Sequence, residues 1–182
     1  MSAQLEATIE DLYRVPGNGK AELVNGEIVT MPPTGDMPNR AGIAVVVSLR
    51  LHEGKTAGRV YTDNVAFRVN LLHRESFSPD AAWHTGPSTG MKFLEGAPVF
   101  AVEIRSENDY GPKAERAIAA KRADYFAAGT LVVWDVDLLS PDVIKSYNAA
   151  DPDDPKIFRR GEIADAEPAV PGWGIPVNEM FS

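Results

Sequence analysis

Asp80 follows Pro79, 22 residues separate it from Glu103, and Lys121 lies on the next helical stretch. Two carboxylates are groups that can hold a divalent cation, and an ammonium beside them would pair with their charge. The sequence predicts a strand that starts near Asp80 and another over Val99–Ile104, with Glu103 near its end. Alternation on the second strand puts Val99, Ala101, Glu103 and Arg105 on one face, and Phe100, Val102 and Ile104 on the other. Both faces are otherwise apolar. An unpaired buried carboxylate costs on the order of several kcal/mol, so Glu103 needs a cation or hydrogen bonds. Asp80, on an adjacent strand, is placed to share that cation. With a backbone carbonyl, the two carboxylates form an oxygen-rich site suited to Mg²⁺ or Mn²⁺.

Lys121 joins them through the helix predicted over Lys113–Ala128. At 3.6 residues per turn, Ala114, Ile118, Lys121, Tyr125 and Ala128 form one stripe, which sets Lys121 in an inward-facing row. An ammonium there needs a carboxylate partner, and Asp80 and Glu103 are the candidates.

These residues require elements to carry them. Leu5–Tyr13 reads as a short helix. Asn25-Gly26 between two apolar runs predicts a hairpin from Glu22 to Met31. A helix is expected from Asp36 to about Glu53, and strands over Arg59–Val69, Phe77–Trp83, Val99–Ile104 and Leu131–Val136. Gly129 is the expected C-cap of the Lys113–Ala128 helix. Leu131–Val136 is almost continuously apolar, which predicts burial on both faces. Val143–Tyr147 and Ile157–Arg160 read as edge strands separated by a turn-rich Ala150–Pro155, and the tail from Pro168 is expected to wrap irregularly. The pattern predicts one α/β domain over residues 1–182, a mixed β-sheet flanked by helices with extra C-terminal strands.

Composition narrows the function. The 182 residues include no cysteine, which excludes disulfides, Cys-based zinc sites and Cys nucleophiles. With 18 basic and 26 acidic residues the net charge is −8, against a binder that grips nucleic acid by a basic stripe alone. The Gly17–Lys20 stretch lacks the spacing and the Ser/Thr of a phosphate loop, since Ala21 follows Lys20. No apolar run is long enough to span a membrane, and the first residues lack the basic-then-apolar order of a signal peptide, so a cytoplasmic protein is expected. His52, His73 and His84 show no metal spacing; His52 and His73 read as surface residues and His84 as a residue that could line a cleft. Trp83, Trp134 and Trp173 read as packing aromatics.

Pro79-Asp80 followed by Glu103-Ile104-Arg105 resembles the PD-(D/E)xK phosphodiesterase signature. The wider pattern comprises Glu22–Met31 with Pro32-Pro33, Pro79-Asp80, Val102–Ser106, Lys121-x-x-x-Tyr125-x-x-x-Gly129, Val133–Asp137 and Val170-Pro171-Gly172-Trp173. It resembles the bacterial Uma-two (Uma2) family of restriction-type endonucleases over about residues 10 to 182. The resemblance implies a restriction-endonuclease-like fold, with Asp80 and Glu103 as metal ligands and Lys121 as a helix-borne replacement for the strand lysine. It also implies that Glu22 is an acidic residue near the site. Tyr125 and Ser106 match motif positions without an assigned role. The chain departs from the pattern at Arg105, which stays protonated and cannot act as a base but could stabilise phosphate charge. It departs also at Asn39, where a histidine is frequent, and at Ala117, where an aspartate is frequent.

The resulting expectation is an Mg²⁺- or Mn²⁺-dependent endonuclease that hydrolyses phosphodiester bonds of nucleic acid, DNA in the first instance. Asp80, Glu103, Lys121 and Arg105 would be its catalytic residues, and Asp80, Glu103 and Glu22 its metal residues. The alternative is a nuclease-fold binding or regulatory protein without efficient catalysis. Enzymes of this fold often pair two active sites, so a homodimer is expected, with Val143–Tyr147 and the C-terminal wrap as candidate edges.

Overall fold

The computed structural model describes residues 6–182. Local sequence sets most element boundaries. Thr8 and Asp11 form a reciprocal capping box that starts α1 (Ile9–Leu12). Asn25 and Gly26 both take positive φ (52° and 69°), the requirement of a tight hairpin turn, and join β1 (Ala21–Val24) to β2 (Glu27–Thr30). After α2 (Asp36–His52) come β3 (Arg59–Thr62), β4 (Phe67–Arg68), β5 (Ser76–Phe77), β6 (Ala81–His84), β7 (Leu94–Glu95) and β8 (Phe100–Ile104). Pro112 then opens α3 (Pro112–Ala127), which gives way at Gly129 with φ 105°. The chain continues through β9 (Val132–Val136), β10 (Ile144–Asn148), β11 (Asp151–Phe158), β12 (Ile163–Asp165), β13 (Gly174–Pro176) and a 3₁₀ turn at Val177–Phe181.

The main sheet has six strands in the order β11-β10-β9-β8-β6-β3. Every neighbouring pair is antiparallel except β8 and β9, which α3 connects as a parallel crossover. The architecture is thus the α/β, mixed-sheet fold with flanking helices that the sequence predicts. Alternation on β8 also holds. Phe100, Val102 and Ile104 pack under Ala41, Val45 and Leu49 of α2. Ala101 faces the other layer, with Tyr125 of α3 and Phe67, Phe77 and Leu94 of the small β5-β4-β7 sheet. All five residues of β9 are buried, as its apolar run requires.

Four readings need correction. The Arg59–Val69 run bends at Asp63-Asn64, where Asn64 has φ 63°, so β3 joins the main sheet and β4 the small one. Val143–Tyr147 is not an edge: β10 pairs with β9 on one side and β11 on the other. The Asp151–Pro155 stretch is strand rather than turn, and its prolines and aspartates lie on the edge strand, whose outer side has no neighbouring ladder to disrupt. The C-terminal tail is core. Val170, Trp173, Ile175, Val177 and Met180 are buried against the α2 face of the sheet. Of the helix read over Leu5–Tyr13, Ile9–Leu12 is helical, and Leu5 lies outside the described residues. No described helix is long and apolar enough to cross a membrane.

Candidate active site

Sheet pairing brings the sequence-predicted groups together at one place. Asp80 stands just before β6; its N–H donates to the Val102 carbonyl (3.0 Å), and its Oδ2 accepts the Ile104 N–H at 2.7 Å. The backbone of β8 therefore fixes the Asp80 carboxylate beside Glu103, which β8 itself carries. Lys121 arrives from α3 in the inward row that the helical period predicts. Its Nζ lies 2.9 Å from Glu103 Oε1 and 2.8 Å from Glu22 Oε1. One turn on, Tyr125 donates its hydroxyl to the same Glu103 oxygen at 2.6 Å and stacks on Phe77 with ring centroids 4.0 Å apart. Tyr125 is the one buried residue of α3, so its ring seats the helix while its hydroxyl reaches the site.

Glu22 is the hub of the opposite wall. β1 is knitted to the 74–78 segment by the Leu23 N–H on Ser76 Oγ (2.8 Å) and the Glu75 N–H on the Leu23 carbonyl (3.0 Å). Glu22 accepts from the Ser78 N–H at 2.8 Å and from Arg74 at 2.6 Å, and Arg74 also donates to Asp124 of α3 at 2.8 Å. Glu22 is 5% exposed, so this set of partners is what makes its burial tolerable.

The charges divide unevenly. Burial pushes the Glu103 carboxyl above its ordinary value, and Asp80 and Glu22 add to the push against the opposing pull of Lys121 and Lys20. Burial also pushes Glu22 up, but Lys121 and Arg74 outweigh it and hold that carboxyl below its ordinary value. Burial would lower Lys121; Glu103 and Glu22 overcome it and keep the ammonium protonated well above its ordinary range. A charged Lys121 can orient groups and balance negative charge. It has no free lone pair to act as a base at neutral pH.

Arg105 has another use. Its Nε and Nη2 donate to Asp135 at 2.7 and 2.8 Å, and its Nη1 and Nη2 both pair with Glu115 of α3. All three guanidinium nitrogens are spent on carboxylates, and no hydrogen bond or ion pair joins Arg105 to Asp80, Glu103 or Lys121 among the described residues. It ties β8, β9 and α3 together. The histidines also resolve: His52 is buried and bonded to the Pro171 carbonyl (3.0 Å), not a surface residue. His73 is half exposed on Asp124 at 2.7 Å, and His84 is buried edge-on among Tyr61 and Phe67 instead of lining a cleft. Trp83, Trp134 and Trp173 are core.

Two members are new. Lys20 Nζ lies 2.6 Å from Asp80 Oδ1 and 2.7 Å from Asp63 Oδ1. In the sequence Lys20 is only the end of a Gly-rich stretch, and its place just ahead of β1, two residues before Glu22, was the available signal.

The oxygen donors suit Mg²⁺ or Mn²⁺. Glu103 takes both of its bonds on Oε1, and it is a buried carboxylate with Asp80 and Glu22 as acidic neighbours, a donor set that suits a hard divalent cation. A cavity of about 40 Å³ opens beside Glu103, lined also by Lys121, Tyr125 and Asp135, with room on the order of one to a few waters. Among the described residues, no group of three or more acidic or histidine side chains is already gathered to hold a metal ion. The fit is therefore one of donor chemistry, with lysines standing between the carboxylates.

The family model described as "Putative restriction endonuclease" (Uma2) matches residues 8–178. No curated protein matches the sequence. A crystal structure from Anabaena variabilis ATCC 29413, described as "a putative nuclease belonging to DUF820", superposes with a TM-score of 0.73 at 14% identity. The match covers 96% of this chain and 97% of that one. At that identity the likeness speaks for the fold.

Proposed function

The chain belongs to the Uma2 family, and from that premise we propose that it is a metal-dependent endonuclease that hydrolyses phosphodiester bonds of DNA. The observation that carries this reading is the position of Lys121 between Glu103 and Glu22, beside an Asp80 locked onto the β8 backbone. Asp80 and Glu103, with Glu22 behind them, would hold Mg²⁺ or Mn²⁺. The chemistry such an ion supplies is polarisation of a phosphate oxygen and activation of water. The protein's own residues do the rest. Lys121, held charged, balances the negative charge that grows on the phosphate. Tyr125 and Glu22 fix Glu103 and Lys121 in place. Arg105 acts through the Asp135–Glu115 cluster as a positioning residue rather than as a phosphate contact. The test is Mn²⁺-dependent nicking of supercoiled plasmid by wild type and by Glu103→Gln; cleavage that survives Glu103→Gln undiminished sinks the assignment.

One observation favours a second reading. Both proposed ligand carboxylates already carry a lysine, so each has a cationic partner that is not a metal. That suits a nuclease-fold protein that binds nucleic acid without cutting it. DNA retention with no cleavage in any divalent metal would select this reading.

We further propose that residues 1–182 form one cytoplasmic domain and that the enzyme is a homodimer, in keeping with paired cleavage of two strands. Ile43, Val47 and Leu51 form an exposed apolar stripe at helical spacing on α2, a more open surface than the enclosed β10. A solution mass near 19.7 kDa by light scattering at tens of micromolar would refute the dimer.

A further inference from the structure

Asp80 has two carboxylate oxygens, and both are in use. Oδ2 is fixed by the Ile104 N–H, which belongs to the sheet and cannot leave without breaking β8. Oδ1 is held by Lys20, whose ammonium sits at the end of a flexible four-carbon stem. The Lys20 backbone is anchored, because its carbonyl accepts the Met31 N–H at 2.9 Å where the β1–β2 hairpin closes. Its side chain is mostly covered, at 14% exposure, while its other partner, Asp63, is 47% exposed on the loop after β3. The ammonium also acts on Glu103 through space. A positive group thus sits against Asp80 Oδ1 and within electrostatic reach of Glu103. A second carboxylate beside it can keep the ammonium paired if Asp80 is taken from it.

We propose that Lys20 is a built-in competitor for the divalent cation: its ammonium caps Asp80 in the metal-free protein, is displaced onto Asp63 when the cation binds, and so sets how much metal the site requires. The proposal rests on the metal reading of Asp80 and Glu103 and adds to it a residue that neither the motif nor the helix period points to. The physics is direct. A cation that must evict an ammonium gains only the difference between its own attraction to Asp80 and the lysine's, so its apparent affinity is lowered by the population of the capped state. Asp63 reduces that cost by keeping the evicted ammonium paired.

Two measurements on the full chain test this. Isothermal titration with Mn²⁺ should show Lys20→Met and Lys20→Gln binding roughly tenfold or more tightly than wild type, with circular dichroism reporting that each variant is folded. Acetylation of wild type by a lysine-directed ester, read by mass spectrometry, should be slow at Lys20 without metal and several-fold faster in saturating Mg²⁺, while exposed Lys113 reacts at one rate in both. Equal or weaker Mn²⁺ binding by both variants, or a Lys20 acetylation rate indifferent to Mg²⁺ in protein shown to bind it, overturns the capping role and leaves the metal site standing. Absence of Mn²⁺ binding at millimolar concentration by wild type and variants alike overturns the metal reading and this inference together.

Discussion

Lys121 Nζ stands 2.9 Å from Glu103 Oε1 and 2.8 Å from Glu22 Oε1, so a single ammonium joins α3 to the central strand β8 and to the outlying hairpin strand β1. Tyr125, one turn further on, bonds the same Glu103 oxygen. The helix that would carry the phosphate-balancing charge is thereby registered on the sheet by its own functional side chains, and α3 buries little else.

Removal of the Tyr125 hydroxyl tests that registration. Tyr125→Phe keeps the stack on Phe77 and deletes a hydrogen bond to a carboxylate, a loss of about 1.5–3 kcal/mol. The melting temperature should fall while the circular dichroism spectrum is unchanged. A variant as stable as wild type would mean that the hydroxyl contributes nothing to seating α3.

The same pair sets an alkaline limit. Burial, then Glu103, hold the Tyr125 hydroxyl well above its ordinary 10.0. Lys121 is held above its ordinary 10.5, burial opposing and Glu103 and Glu22 prevailing. Both groups bind their protons more tightly folded than unfolded. Their contribution is complete below pH about 10 and drains away as pH rises through the folded-state values. Metal-free wild type should lose melting temperature above pH about 10, and Tyr125→Phe should show a shallower decline from its lower starting point. Parallel curves would refute the Tyr125 share.

Metal linkage gives the third expectation. Millimolar Mg²⁺ or micromolar Mn²⁺ should raise the melting temperature, since a ligand that binds only the folded state stabilises it by roughly 2.7 kcal/mol at one hundred times its dissociation constant. The double variant Asp80→Ala, Glu103→Ala should show no shift; a shift that persists places the cation elsewhere.

Much of this was legible in the sequence, and the reason is periodicity. The period of two on Val99–Arg105 put Glu103 on the face opposite Phe100, Val102 and Ile104, and the period of 3.6 put Lys121 and Tyr125 on one inward stripe. Asn25-Gly26 fixed the hairpin that holds Glu22. What was hidden depends on long-range pairing. Arg105 shares a face with Glu103, but only the parallel register of β8 with β9 shows that Asp135 meets it there. Asp63 and Lys20 meet through a chain bend and a hairpin end, and neither has a sequence period. Ile157 and Phe158 do lie on an edge strand, as their run predicts, but Asp151–Pro155 misled because proline and aspartate signal turns equally well when they sit on a strand that has no outer neighbour.

Arg105 separates support from chemistry. Asp135 is 5% exposed, so Arg105→Gln leaves a buried carboxylate without its bidentate partner, a cost of about 3–5 kcal/mol. The variant should melt far below wild type. At a temperature where it is folded, its KM for DNA and the salt dependence of binding should match wild type. A weakened salt dependence would restore Arg105 as a phosphate contact.

Lys121 carries the decisive test of function. Its ammonium contacts Glu103 and Glu22 and is held charged; in the proposed enzyme it would stabilise charge that develops on a phosphate. A single preorganised donor of that kind is worth roughly 10²–10³ in kcat. Lys121→Ala should therefore cut Mn²⁺-dependent plasmid nicking by about that factor. The protein also loses the charge that compensates buried Glu22, so the assay belongs at low temperature, with folding verified by circular dichroism. Lys121→Arg restores the charge without the lysine's compact geometry and should recover stability more fully than rate. Lys113→Ala, at an exposed position near the start of α3, should leave nicking unchanged. If folded Lys121→Ala nicks plasmid as fast as wild type, the ammonium is a structural tie between β1, β8 and α3, and the phosphate-balancing role falls.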